Sequence, residues 1–149
     1  MTDRPTDRPY VITLTRTVAV TPPELFLAWT EPAILERWLA PVVVADARPG
    51  GAFRCTLAGG AVLDGTYDEV IPGERIGLVL RTPEDPAGAR VVIAMFAVTR
   101  DISELEIAEH WGGPPPSPED VDAREARWRG LLDRLVEGIE PSATLDPDA

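Results

Sequence analysis

Few residues in this chain are equipped for chemistry. His110 is the one histidine and Cys55 the one cysteine among 149 residues. A metal site needs three or four nitrogen, sulfur or carboxylate donors, so a lone histidine far from a lone thiol calls for no metal. No Ser-His-Asp constellation and no G-x-S-x-G elbow is legible. Gly50-Gly51 and Gly59-Gly60 read as turns, not as a phosphate loop or a dinucleotide fingerprint, and no cofactor is called for. Glu109 is the carboxylate of most interest. If Leu105 and Ile107 face a core, alternation along a strand brings Glu109 to the same face. A carboxylate held there can serve as a general acid or base. The favoured reading is plainer: Glu109 pairs with Arg124 or ends in solvent, because strand ends often bulge or twist. Tyr67 offers a hydroxyl to a ligand or simply packs. Cys55 reads as a small buried hydrophobe rather than a nucleophile. Trp29, Trp38, Trp111 and Trp128 are either plain core or the aromatic wall of a ligand pocket. Trp29 is expected in the core, with Trp111 and Trp128 nearer a cavity.

The element that must hold these residues in place comes last. Ser117-Pro118-Glu119-Asp120 is a capping box with proline at the first helical position, and Gly138 with Pro141 supplies the stop. At about 100° per residue, Val121, Trp128, Leu132, Leu135 and Ile139 form one narrow apolar stripe. Ala123, Arg127, Gly130, Arg134 and Glu137 fall opposite. Asp120 with Arg124, and Glu125 with Arg129, are spaced for ion pairs one turn apart. Such a helix needs an apolar surface to lie on, and most of what precedes it reads as strand.

Tyr10–Val20 alternates as a strand. Thr21-Pro22-Pro23-Glu24 opens a short helix over Leu25–Trp29, and Thr30-Glu31-Pro32 opens a second over Ala33–Leu39. Six further strands follow: Val42–Val44, Ala52–Leu57, Val62–Val70, one carrying Ile76, Leu78 and Leu80 on a single face, Val91–Val98, and Ser103–Trp111. Pro83–Gly88 reads as a loop, and Gly112-Gly113-Pro114-Pro115-Pro116 as a stiff linker. Consecutive hairpins predict an antiparallel meander. The ends differ. Thr2-Asp3-Arg4-Pro5 repeats as Thr6-Asp7-Arg8-Pro9, so residues 1–9 and the acidic stretch 141–149 are expected to be disordered tails around a domain over 10–140.

Composition narrows the partners. Hydrophobic residues are 44% and charged residues 26%, ordinary for one globular domain. The net charge of −11 argues against nucleic acid or an anionic membrane, either of which needs a basic face. All 14 basic residues are arginine. A single cysteine allows no intrachain disulfide, and no signal-peptide core or membrane-length apolar run is present. A cytoplasmic location is the default expectation.

Several of these segments share a pattern with one family. Ala28-Trp29-Thr30-Glu31-Pro32 followed by Arg37-Trp38-Leu39-Ala40-Pro41, then Arg48-Pro49-Gly50-Gly51-Ala52-Phe53-Arg54, then Gly65-Thr66-Tyr67-Asp68-Glu69-Val70 with Pro72 and Arg75, then Trp128 with Leu132 and Leu135, occur in order. Together they resemble the START-like (SRPBCC) superfamily, in the branch named after the ATPase activator of the heat-shock 90 chaperone. The resemblance spans nearly the whole chain between its ends. It implies an α+β helix-grip fold, a curved antiparallel sheet wrapped around the C-terminal helix with a cavity between them. Arg127 stands where such sequences often carry glycine before the helix tryptophan, and Leu80 where an aromatic is frequent.

The expected function is binding of a small apolar or aromatic molecule, such as a sequestered natural product or lipid-like ligand. The residues expected at that ligand are Trp38, Phe53, Cys55, Tyr67, Leu78, Leu80, Phe96, Glu109, Trp111, Trp128 and Leu132. Two other classes stay open. An enzyme of cyclase or hydrolase type would need Glu109, His110, Asp64 or Tyr67 to converge in the cavity. A chaperone cofactor or stress-response role follows from the family's namesake. The resemblance also places Phe96 toward the helix, which turns Val91, Ile93 and Met95 outward as a candidate homodimer contact. Monomer and homodimer are both open.

Overall fold

Two capping boxes and three prolines set the helices. In this computed structural model, which describes residues 8–57, 59–83 and 85–140, Thr21 accepts from the Glu24 amide and Glu24 returns the bond to the Thr21 amide. That pair opens α1 (Pro22–Ala28). Glu31 precedes α2 (Pro32–Trp38) without a side-chain cap, and proline at the first position compensates by needing no amide partner. Ser117 and Asp120 repeat the capping box at α3 (Pro118–Ile139). Gly138 lies inside α3 rather than after it, and residue 141 lies outside the described residues.

The strands are β1 (Tyr10–Val18), β2 (Val42–Ala45), β3 (Ala52–Thr56), β4 (Val62–Ile71), β5 (Arg75–Thr82), β6 (Asp85–Thr99) and β7 (Ile102–Trp111). They form one antiparallel sheet in the order β1-β7-β6-β5-β4-β3-β2. Six strands run as the expected meander, and β1 joins the sheet beside β7. This is the α+β helix-grip architecture, with α3 lying on the concave face. The stretch Pro83–Gly88 departs from the loop expected there, since β6 begins at Asp85 after a bulged hairpin. Within it Asp85 caps its own turn by accepting from the Gly88 amide at 3.2 Å.

The faces of β6 are the reverse of the expectation. Val91, Ile93 and Met95 are buried in the core, while Phe96 is 52% exposed and Val98 57% exposed. Cross-strand register explains it. Met95, Ile93 and Val91 sit opposite Leu105, Ile107 and Glu109 on β7, and direct partners in a sheet share a face. Once β7 turns Leu105 and Ile107 inward, β6 has no choice. The row Val91-Ile93-Met95 is therefore not available as a dimer contact. At the amino end, residues 1–7 lie outside the described residues, but Arg8 donates to the carbonyls of Ala87 and Gly88 on β6. Residues 141–149 also lie outside them.

Candidate functional site

The site begins at the corner between α1 and α2. Trp38 donates from Nε1 to the Ala28 carbonyl at 2.9 Å, and Tyr67 donates its hydroxyl to the Trp29 carbonyl at 3.0 Å. Those acceptors are carbonyls that the end of α1 leaves without helical partners. Trp29 then packs edge-on against Trp38 with ring centroids 4.8 Å apart. The Gly50-Gly51 turn clips onto β4 from the other side: the Gly50 amide donates to the Tyr67 carbonyl, and the Tyr67 amide to that of Gly51. Gly50 has φ of +86°, and a Cβ on Gly51 would lie 1.8 Å from the Asp46 carbonyl oxygen, so both positions need glycine. Burial, and secondarily the charge of Asp46, push the Tyr67 phenol well above its ordinary range. Tyr67 is a brace, with its hydroxyl committed to the backbone.

Between the sheet and α3 this corner leaves a cavity of about 670 Å³. Its walls are mostly apolar. Leu78, Leu80, Val91 and Ile93 come from β5 and β6, Phe53 from β3, Trp29 and Trp38 from the helical corner, and Trp128 and Leu131 from α3. Among the residues expected at a ligand, Trp38, Phe53, Leu78, Leu80, Glu109 and Trp128 are brought together here. Cys55, Tyr67 and Leu132 are buried behind the wall and do not line it. Burial raises the Cys55 pKa, so the group stays a thiol and packs as a hydrophobe. Trp111 lies outside this cavity, packed on Tyr10 with centroids 5.8 Å apart. Phe96 is on the opposite face of the sheet from the cavity, for the register reason given above.

Glu109 is the buried carboxylate of the site, 4% exposed. One oxygen accepts from Trp128 Nε1 at 3.1 Å, and the other meets Arg124 at 3.0 Å and Arg127 at 3.7 Å. The pairing with Arg124 is the plainer of the two readings of Glu109, and it forms inside the protein rather than at a wet strand end, so Arg124 pairs with Glu109 and not with the Asp120 one turn before it. Arg124 is further held over the Trp111 ring, 4.0 Å from its centroid. The four groups an enzyme of this fold would need do not converge. His110 follows Glu109 on the strand and so faces the other way, where burial and the charges of Arg90 and Arg8 lower its pKa. Asp64 pairs with Arg54 at 3.6 Å, both more than half exposed.

Sequence reading missed most of the polar edge. Arg127 and Arg134 are exposed and line the cavity, so they stand at its rim. The apolar-stripe reading puts both on the back of the helix. The signal was there: relative to Trp128, Arg124, Leu131, Arg127 and Arg134 lie about 40° to 120° round one side of a regular helix. They form a flank, and α3 presents that flank to the cavity. Trp29, expected in the core, is 5% exposed and also lines the cavity.

Comparison with known proteins places this geometry. The family model described as "Activator of Hsp90 ATPase homolog 1-like protein" matches residues 19–140. No curated protein matches the chain. Among solved structures, protein CV1439 from Chromobacterium violaceum is 28% identical with a TM-score of 0.72, over 90% of this chain and 99% of that one. The Aha1 dimer from Colwellia psychrerythraea gives a TM-score of 0.75 at 16% identity, over 88% of this chain and 96% of that one. DynU16, described as a putative protein in the dynemicin biosynthetic locus, gives 0.73 at 19% identity, over 85% of this chain and 46% of that longer one. The chain belongs to the Activator of Hsp90 ATPase homolog 1-like family, and its fold is that family's helix grip.

Proposed function

We propose that this protein binds a small, largely apolar molecule, without catalysis, in the cavity between the sheet and α3. The observation that carries the reading is the cavity of about 670 Å³, within the range of small-molecule sites and walled by the same residues that make the core. Nothing in the fold requires such a volume, since close packing is the rule in protein interiors. The non-catalytic part rests on Glu109. Both of its oxygens are occupied by Trp128 and Arg124, which suits a structural carboxylate better than one that must exchange a proton with a substrate.

The test uses a neutral apolar fluorophore, N-phenyl-1-naphthylamine, titrated into the full chain, with native mass spectrometry of the freshly purified protein. Saturable uptake of one molecule per chain is expected. Ala89→Trp, which projects a ring into the cavity from β6, should weaken uptake at least tenfold while the protein stays folded. Absence of saturable uptake together with a bare protein mass would overturn the reading.

A further inference from the structure

The rim of the cavity adds a chemical requirement. Resting on the ligand-binding reading above, we infer that the ligand is an amphipathic organic acid, whose carboxylate meets Arg127 and Arg134 while its apolar body fills the cavity.

Charge on α3 is segregated toward the cavity. Arg124, Arg127 and Arg134 all line it. The acidic residues between them, Glu125 and Asp133, do not; they pair with Arg129 at 3.3 Å and with Arg16 of β1 at 2.7 Å. In a chain of net charge −11, the charged side chains around the cavity among the described residues are three arginines and two carboxylates, Glu109 and Asp85. Those two carboxylates are already engaged. Glu109 is held by Trp128 and Arg124, and Asp85 accepts from the amide of its own turn.

That leaves two guanidinium groups with donors to spare. Arg127 reaches Glu109 only at 3.7 Å and is 59% exposed. Arg134 meets no carboxylate among the described residues and donates one bond, to the Leu39 carbonyl at 3.3 Å. A guanidinium carries five N–H donors in a planar fork suited to a carboxylate. The two residues are two turns apart, about 10 Å along the axis, within the combined reach of two arginine side chains.

The test compares two ligands with the same body: decanoate, ionised at neutral pH, and 1-decanol, neutral. Each displaces N-phenyl-1-naphthylamine from the wild type, from Arg127→Met and from Arg127→Met/Arg134→Met. Decanoate should bind the wild type about tenfold more tightly than decanol, and added salt should narrow the gap, since the rim is exposed. The double variant should lose the preference, the ratio of its two affinities falling to about one whatever its absolute affinity for decanol. Arg127→Met alone, at a position 59% exposed and 3.7 Å from Glu109, should lose about threefold of it. Equal affinity for the two ligands in the wild type overturns the anionic ligand and leaves the binding reading standing. A preference that survives both variants overturns the assignment to these arginines. If neither ligand displaces the probe from a wild type that binds it, the inference falls; if the probe itself does not bind, the reading beneath it falls too.

Discussion

Tyr67 gives its hydroxyl to the Trp29 carbonyl, and that single bond joins β4 to the end of α1. Tyr67→Phe keeps the ring against Phe53 but leaves a buried carbonyl without its donor, so a cost of about 1–2 kcal/mol is expected in a denaturant melt. The same residue gives the protein an alkaline limit. An unfolded tyrosine ionises near pH 10. In the folded chain burial holds the proton to higher pH. Above that point the unfolded state gives up a proton that the native state keeps, so stability is full below about pH 10 and falls as pH rises toward the folded value. Melting temperatures of wild type and Tyr67→Phe between pH 9 and 11 should show a shallower decline for the variant; parallel curves would remove Tyr67 as the cause. Tyr67, Trp38 and the Gly50-Gly51 turn stand out in the sequence through the family motifs that carry them. The sequence is silent on why, because their partners are backbone carbonyls, and those appear in a sequence only after the chain has been folded.

At the scale of elements, β6 is the instructive case. Both of its alternating rows are apolar, so periodicity fixed a strand there but could not choose its inner face. The choice comes from β7, where Glu104 and Glu106 alternate with Leu105 and Ile107 and the register hands that polarity across. Ile93→Glu should therefore unfold the domain or cost at least about 3 kcal/mol, as a charge placed at a position 0% exposed. Phe96→Glu should change stability by less than about 1 kcal/mol, at 52% exposed, and chemical denaturation of the two variants separates the assignments. The starts of α1 and α3 were readable because each capping box is a local motif of four residues. The rim of the cavity was not, because Arg127 and Arg134 look like ordinary solvated helix positions until the tilt of α3 is known.

For the molecule as a whole, order of strands and position of α3 follow from the pattern, while the volume between them does not. Volume depends on how far the helix stands off the sheet, a quantity carried by no single segment. Among the described residues no helix is long and apolar enough to cross a membrane. Glu109 bears on the standoff in a further way. Its two principal partners, Arg124 and Trp128, lie one helical turn apart on α3, so the carboxylate grips a turn of helix as a pawl grips a ratchet. Displacing α3 by one turn along β7 would leave a buried charge facing the wrong neighbours, a penalty of several kcal/mol. An apolar surface offers no such index; leucines slide past leucines at little cost. Replacing the pair together, as Glu109→Leu/Arg124→Met, should then separate two properties that usually travel together. Stability should change little or rise, because removing both desolvated charges offsets the lost bonds. Uniqueness should suffer: amide signals of α3 in a nuclear magnetic resonance spectrum should broaden or double as the helix samples alternative seatings. Sharp single signals in a stable Glu109→Leu/Arg124→Met protein would show that shape alone selects the alignment. Doubled signals would mean that one carboxylate decides where the helix comes to rest.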